Sequence, residues 1–184
     1  MGMKNTSVSY GSVTKFFHWL IFLLILITIP LGYVMGDISD KVLRGQVINT
    51  HKLIGVLILV LVLLRALWAL KNIKPVLPFQ TPAWQRSAER CVHLFLYLGL
   101  IVMPLSGLVG SVAAGRPPRI GKFSIELPIA QSKALSNFSF DYIHIPLAII
   151  LILFISIHIL AALYHHFIKR DDVLRRMMPY GGHR

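Results

Sequence analysis

Seven of the eight histidines in this 184-residue chain lie in or at the edges of long apolar blocks: His18, His51, His93, His144, His158, His165 and His166. Ionisable side chains in such blocks are costly and mark a functional site with a partner. A neutral imidazole nitrogen can ligate a metal, which removes the charge penalty. His144 and His158 stand fourteen residues apart in one block. On an α-helix that spacing is about 21 Å of rise and leaves both within roughly 40° of one face. Such a face can serve two ligand sites at different depths. An interfacial or hydrogen-bonded role is the alternative for any one of these histidines, but the set favours ligation.

The elements that must position them follow from composition. Apolar residues make up 55% of the chain and charged residues only 14%, against about 45–50% and 25% in soluble domains. They come in blocks near 20 residues, the length that crosses a hydrocarbon core of roughly 30 Å. Inside lipid such blocks must be helices, because every amide needs an internal partner. Four spans are expected in a single domain over 1–184, at about 16–35, 51–70, 91–114 and 142–168. Lys52 and Arg65 near the ends of the second can snorkel, and Pro30, Pro104 and Pro146 are tolerated when neighbours repair the lost bond. The first block is too long for a signal peptide's apolar core and is read as a retained span. Of the 19 Lys and Arg, twelve fall on the side of the termini and seven on the other, which predicts cytoplasmic termini.

With that topology His51 and His144 open the second and fourth spans at the same outer depth, and His18 can meet His158 deeper in. The expected architecture is therefore all-α: a four-transmembrane-helix bundle whose histidine pairs hold two b-type haems. His93 with His165 competes for the inner pair on geometry alone, since His165 follows His158 by seven residues on the same face. Zinc would want four ligands close together rather than separated pairs, and the adjacent His165 and His166 point in different directions. Gly55, one turn after His51, allows a flat macrocycle to approach the backbone, as Gly32, Gly99 and Gly107 could. Arg44, Lys52 and Arg65 stand where haem propionates would want cations, ordinary interfacial anchoring being the alternative. "IPLGYVMG" in the first span is echoed by "MPLSGLVG" in the third, through duplication of a hairpin or by chance.

Other classes are excluded or disfavoured. The single cysteine, Cys91, rules out an internal disulfide, a four-cysteine iron–sulfur cluster and covalent haem attachment. The net charge of +12 sits in loops flanking apolar blocks, which suits topology and anionic membrane lipid rather than nucleic acid.

Four segments together resemble the prokaryotic cytochrome b561 family, which includes membrane superoxide oxidase: "FFHWLIFLL", "INTHKLIG", "HIPLAIILILFISIH" and "LAALYHHFIKRDDVLRRMMP". The resemblance implies a bundle in the bacterial inner membrane. It also implies His18 with His158 on the cytoplasmic-side haem, His51 with His144 on the periplasmic-side haem, and ubiquinone as electron partner. Superoxide is the donor it suggests. Arg44, Lys52, Arg116, Arg119, Lys122 and Lys133 give the outer face a positive bias that would concentrate a small anion, although lipid contact explains such charges equally. Asp141 and Tyr142 are expected beside the outer pair, where a carboxylate opposes an anionic substrate. An electron-transfer anchor for a separate dehydrogenase or hydrogenase ranks second, and a haem-free metal transporter third.

Overall fold

The fold comes from a computed structural model in which residues 2–76 and 81–179 are described; residues 1, 77–80 and 180–184 of the expected 1–184 domain lie outside them. Helices α1 (Ser12–Val34), α2 (Lys41–Leu70) and α3 (Ala83–Ala113) are followed by a helical run over Lys133–Lys169. All four are long and apolar enough to cross a membrane. The last run is composite. Helix α4 (Lys133–Asn137) leads through a π-helical turn over Phe138–His144 into α5 (Ile145–Tyr164), and a second π turn covers His165–Lys169. Pro146, at the start of α5, has no N–H and its ring crowds the carbonyl four residues back, so the wider turn just before it is the local solution.

The helices outrun their apolar blocks. Helix α2 begins ten residues before the expected start of the second span, because Asp40 caps it by accepting the Leu43 N–H at 2.7 Å. Residues 41–50 mix polar and apolar side chains yet are still helical; hydropathy marks what can face lipid, and the cap decides where the helix begins. Helix α3 ends at Ala113, and Gly115 just beyond it, with φ of +70°, turns the chain. Between α3 and α4 sits a small exception to the all-α expectation. Strands β1 (Arg119–Ile120) and β2 (Phe123–Ser124) pair antiparallel. The Asn49 side chain pins this hairpin to α2, accepting the Arg119 N–H and donating to the Arg119 carbonyl, both at 2.8 Å.

The buried core is small: Ile21, Ile25, Ile58, Val62, Leu100 and Leu151 form one cluster at mid-bundle. Large apolar residues such as Leu23, Leu57, Leu64, Leu153 and Leu160 face outward instead, as lipid solvation requires. Helix α1 packs on α2, α2 on α3, and α3 on the last run, whereas α1 and α2 make no comparable backbone approach to α5. Gly99 sets the closest α3–α5 approach, since a Cβ there would stand 2.7 Å from Leu151 Cδ2. The space left between α1, α2 and α5 opens into cavities above and below the core cluster.

Both terminal segments meet at one end of the bundle. Val76 donates its N–H to the Ser7 carbonyl at 2.9 Å, and Arg176 Nη1 donates to the Val76 carbonyl at 2.6 Å. The cavity at this end is called proximal below, and the one at the other end distal.

Candidate functional site

The distal cavity, about 1180 Å³, is lined by His51 from α2 and His144 from the π turn. Their ring centroids are 6.3 Å apart with planes at 78°. A metal–imidazole bond is about 2 Å long and the ring centre lies about 1 Å behind the nitrogen, so two imidazoles gripping one metal from opposite sides stand about 6 Å apart. His51 Nδ1 lies 3.1 Å from the Thr28 carbonyl and His144 Nδ1 lies 2.8 Å from the Met103 carbonyl. A carbonyl only accepts, so each Nδ1 carries the proton and each Nε2 keeps its lone pair for a metal. This carbonyl-fixed tautomer is how metal-ligating histidines are commonly oriented.

Glycines make the contact possible. A Cβ on Gly32 would stand 2.8 Å from His51 Cε1, and one on Gly107 would stand 2.7 Å from His144 Cε1. Gly55 and Gly45 also line the cavity, and nothing lies within 4 Å of where their Cβ atoms would be. These walls present flat backbone to open space, which suits a planar macrocycle. Lys52 is on the wall and donates Nζ–H to the Arg116 carbonyl at 2.7 Å. Arg44 is off it, its Nε–H donated to the Ile38 carbonyl at 2.7 Å in the loop between α1 and α2. Asp141 and Tyr142 are exposed and off the wall, with Phe140 turned inward in their place; the π turn changes which side chains of this segment face the cavity.

The proximal cavity, about 320 Å³, gathers His18, His93 and His158. His18 and His158 have centroids 6.1 Å apart, the metal-spanning distance again. His93 and His158 are 5.2 Å apart, about 1 Å too close to grip one metal from opposite sides. His93 is also held by its own helix turn, with Nδ1 2.9 Å from the Glu89 carbonyl and 2.8 Å from Glu89 Oε1. Glu89 Oε1 accepts from Lys74 Nζ at 2.6 Å as well. His165 does not line this cavity; its Nδ1 is bonded to Asp171 Oδ2 at 2.5 Å. His166 stacks edge-on against Phe167 and lines neither cavity.

Arg65 reaches the proximal cavity with its guanidinium 5.5 Å from the Tyr97 ring centre, and its Nε is buried without a hydrogen-bond partner among the described residues. The unbonded Arg65 Nε–H and the paired imidazoles fit a group with a ligatable metal and acidic edges, such as haem. Sequence reasoning missed the rest of this wall. Arg170 adopts φ 55° and reverses the chain, and the segment after it folds back to present Val173, Leu174, Arg176, Met177 and Met178 to the cavity. Trp19 Nε1 ties it down by donating to the Met177 carbonyl at 2.9 Å. Tyr10, also on the wall, is half-buried; that partial burial, followed by nearby Glu89, pushes its phenol above the ordinary range and keeps it a proton donor.

A family model described as prokaryotic cytochrome b561 matches residues 9–180. Cytochrome b561 homolog 2 of Escherichia coli (strain K12) is 34% identical over 181 residues, 97% of this chain and 95% of the relative. Cytochrome b561 homolog 1 of the same organism is 29% identical, covering 92% of this chain and 97% of the relative. A probable superoxide oxidase of Yersinia pestis is 29% identical, covering 88% of this chain and 91% of the relative.

Proposed function

The chain belongs to the prokaryotic cytochrome b561 family, and from that premise we propose that it is a di-haem oxidoreductase carrying electrons from a small periplasmic donor to ubiquinone. Membership makes it a multi-pass protein of the bacterial inner membrane that works in electron transfer with b-type haem. The finer reading assigns His51 and His144 to a periplasmic-side haem, His18 and His158 to a cytoplasmic-side haem, and both termini to the cytoplasm.

One observation carries it: two histidine pairs, at opposite ends of the bundle, each have ring centres separated by the span of a doubly ligated metal. When bound, haem b supplies a reversible one-electron couple at its iron. The chain's own residues do the rest. The Thr28 and Met103 carbonyls fix the tautomer of the outer pair, and Gly32 and Gly107 admit the rings. The isoleucine–leucine cluster between the cavities keeps water from joining them.

Superoxide is the donor this reading favours. The name of the Yersinia pestis relative points to it, and Lys41, Lys52, Arg116 and Arg119 line the outer cavity while Asp141 does not. A positive field over a cleft raises the arrival rate of a small anion. Each superoxide gives up one electron and leaves as dioxygen; two such electrons with two protons convert a quinone to a quinol. Rapid mixing of the oxidised protein with superoxide tests this. The b-type absorption should develop within the mixing experiment and decay on adding a soluble quinone. A haem spectrum that superoxide leaves oxidised would exclude this donor and favour the dehydrogenase-anchor role.

A further inference from the structure

Two guanidinium groups from distant parts of the chain enter the inner cavity, Arg65 from α2 and Arg176 from the returning C-terminal segment. The Nε atoms of both are buried with no hydrogen-bond partner among the described residues. Arg176 is not loose, because its Nη1 is anchored on the Val76 carbonyl at 2.6 Å. The acidic residue on the same wall, Glu89, is already engaged by Lys74 and His93. A buried N–H donor without a partner is unfavourable and is retained where something else supplies an acceptor.

We propose that Arg176, with Arg65 and the Tyr10 hydroxyl, forms a clamp for the carboxylates of the haem held between His18 and His158, so that the C-terminal segment is part of the inner haem site. This rests on the di-haem reading. The chemistry matches: a planar guanidinium fork suits a carboxylate, and a haem carries two propionates for two arginines. Tyr10 lines the same cavity as both arginines, and its hydroxyl is the third donor on that wall. The segment that delivers Arg176 is fastened at three points: His165 on Asp171, Trp19 on the Met177 carbonyl, and Arg176 on Val76. A phosphate of an anionic lipid offers similar acceptors, and the test separates it from haem.

The purified full-length holoprotein, wild type, Arg176→Gln and Arg176→Lys, is mixed with excess apomyoglobin, and loss of each haem is followed by its spectrum. The inner haem of Arg176→Gln should leave about tenfold faster, the factor expected for one lost charge-assisted hydrogen bond. The outer haem should leave at the wild-type rate, and Arg176→Lys should restore part of the difference. Repeating the measurement with protein reconstituted with haem dimethyl ester separates charge pairing from a loosened segment. The ester has no carboxylates, so wild type and Arg176→Gln should lose it at equal rates. A larger loss of the ester from the variant, or equal retention of haem b by all three proteins, overturns the proposal. Equal haem retention together with bound anionic lipid that disappears in Arg176→Gln would assign the clamp to lipid instead. A wild-type protein with no inner haem removes the underlying di-haem reading itself.

Discussion

His144 donates its Nδ1–H to the Met103 carbonyl at 2.8 Å, and the ring can reach it because Gly107, one turn further along α3, has no side chain. The same device holds His51, with Thr28 supplying the carbonyl and Gly32 the gap one turn later. In both helices a proline, Pro30 or Pro104, lies between carbonyl and glycine. The two notches are not in register with the echo between "IPLGYVMG" and "MPLSGLVG": the notch glycine follows Pro30 by two residues and Pro104 by three, and Thr28 precedes the echoed segment.

Gly107→Ala and Gly32→Ala should each displace an outer-pair imidazole. Overpacking of this kind costs about 1–3 kcal/mol, while alanine in a helix interior returns up to about 1 kcal/mol, so the bundle should still fold. The expected outcome is a purified protein with the outer haem lost or its spectrum altered and the inner haem unchanged. Full retention of both haem signals would show that the notch does not orient the ligands.

On the di-haem reading, the ring separations favour His18 over His93 as the partner of His158. His18→Ala should remove the inner haem and leave the outer one, whereas His93→Ala should keep both, because His93 sits 5.2 Å from His158 and is bound to Glu89. Haem content per polypeptide of the two variants checks this, and a missing haem in His93→Ala would reverse the assignment.

The outer charges should act on rate. Arg119→Gln removes one cation from the outer cavity wall while the Asn49 contacts to the Arg119 backbone remain possible. Reduction of the protein by superoxide should slow several-fold at low ionic strength, and the difference from wild type should shrink as salt shortens the screening length to about 8 Å at 0.15 M. A rate independent of both charge and salt would mean the field plays no part in capture.

Asp171→Asn tests the fold-back of the C-terminal segment. Asp171 accepts from His165 Nδ1 and from the Val173 N–H at 3.0 Å, and a hydrogen bond to a charged group contributes about 1.5–3 kcal/mol. Losing that charge should raise transient opening of the segment by about tenfold or more, read as faster trypsin cleavage after Arg170, Arg175 or Arg176. An unchanged cleavage rate would locate the anchor at Trp19 and Val76 alone.

The membrane helices were legible in the sequence because lipid demands long apolar runs, and that demand is written residue by residue. The C-terminal helix ends fall within a residue of the expected ones. The starts of α2, α3 and the last run, at Lys41, Ala83 and Lys133, precede the expected 51, 91 and 142, since a cap such as Asp40 acts through a single hydrogen bond that hydropathy does not register. The fourteen residues between His144 and His158 translate directly into depth along one helix, and the structure brings His144 to His51 and His158 to His18 and His93. Choosing between His18 and His93 needs a distance of about 1 Å resolution, which spacing cannot give. Arg176 was invisible for a different reason. It reaches the cavity through the left-handed turn at Arg170, and a non-glycine residue in that conformation leaves no mark in the sequence. Asp141 is exposed rather than beside the outer pair because a π turn, unlike an α turn, shifts the faces that follow.

The central claim is that each polypeptide holds two haems on separate histidine pairs. The direct test is haem b per chain, by the pyridine haemochrome method on purified protein, for wild type, His51→Ala and His158→Ala. The account predicts two haems in wild type and one in each variant, with the two variants retaining spectroscopically different haems. One haem in wild type, or two in either variant, would contradict it.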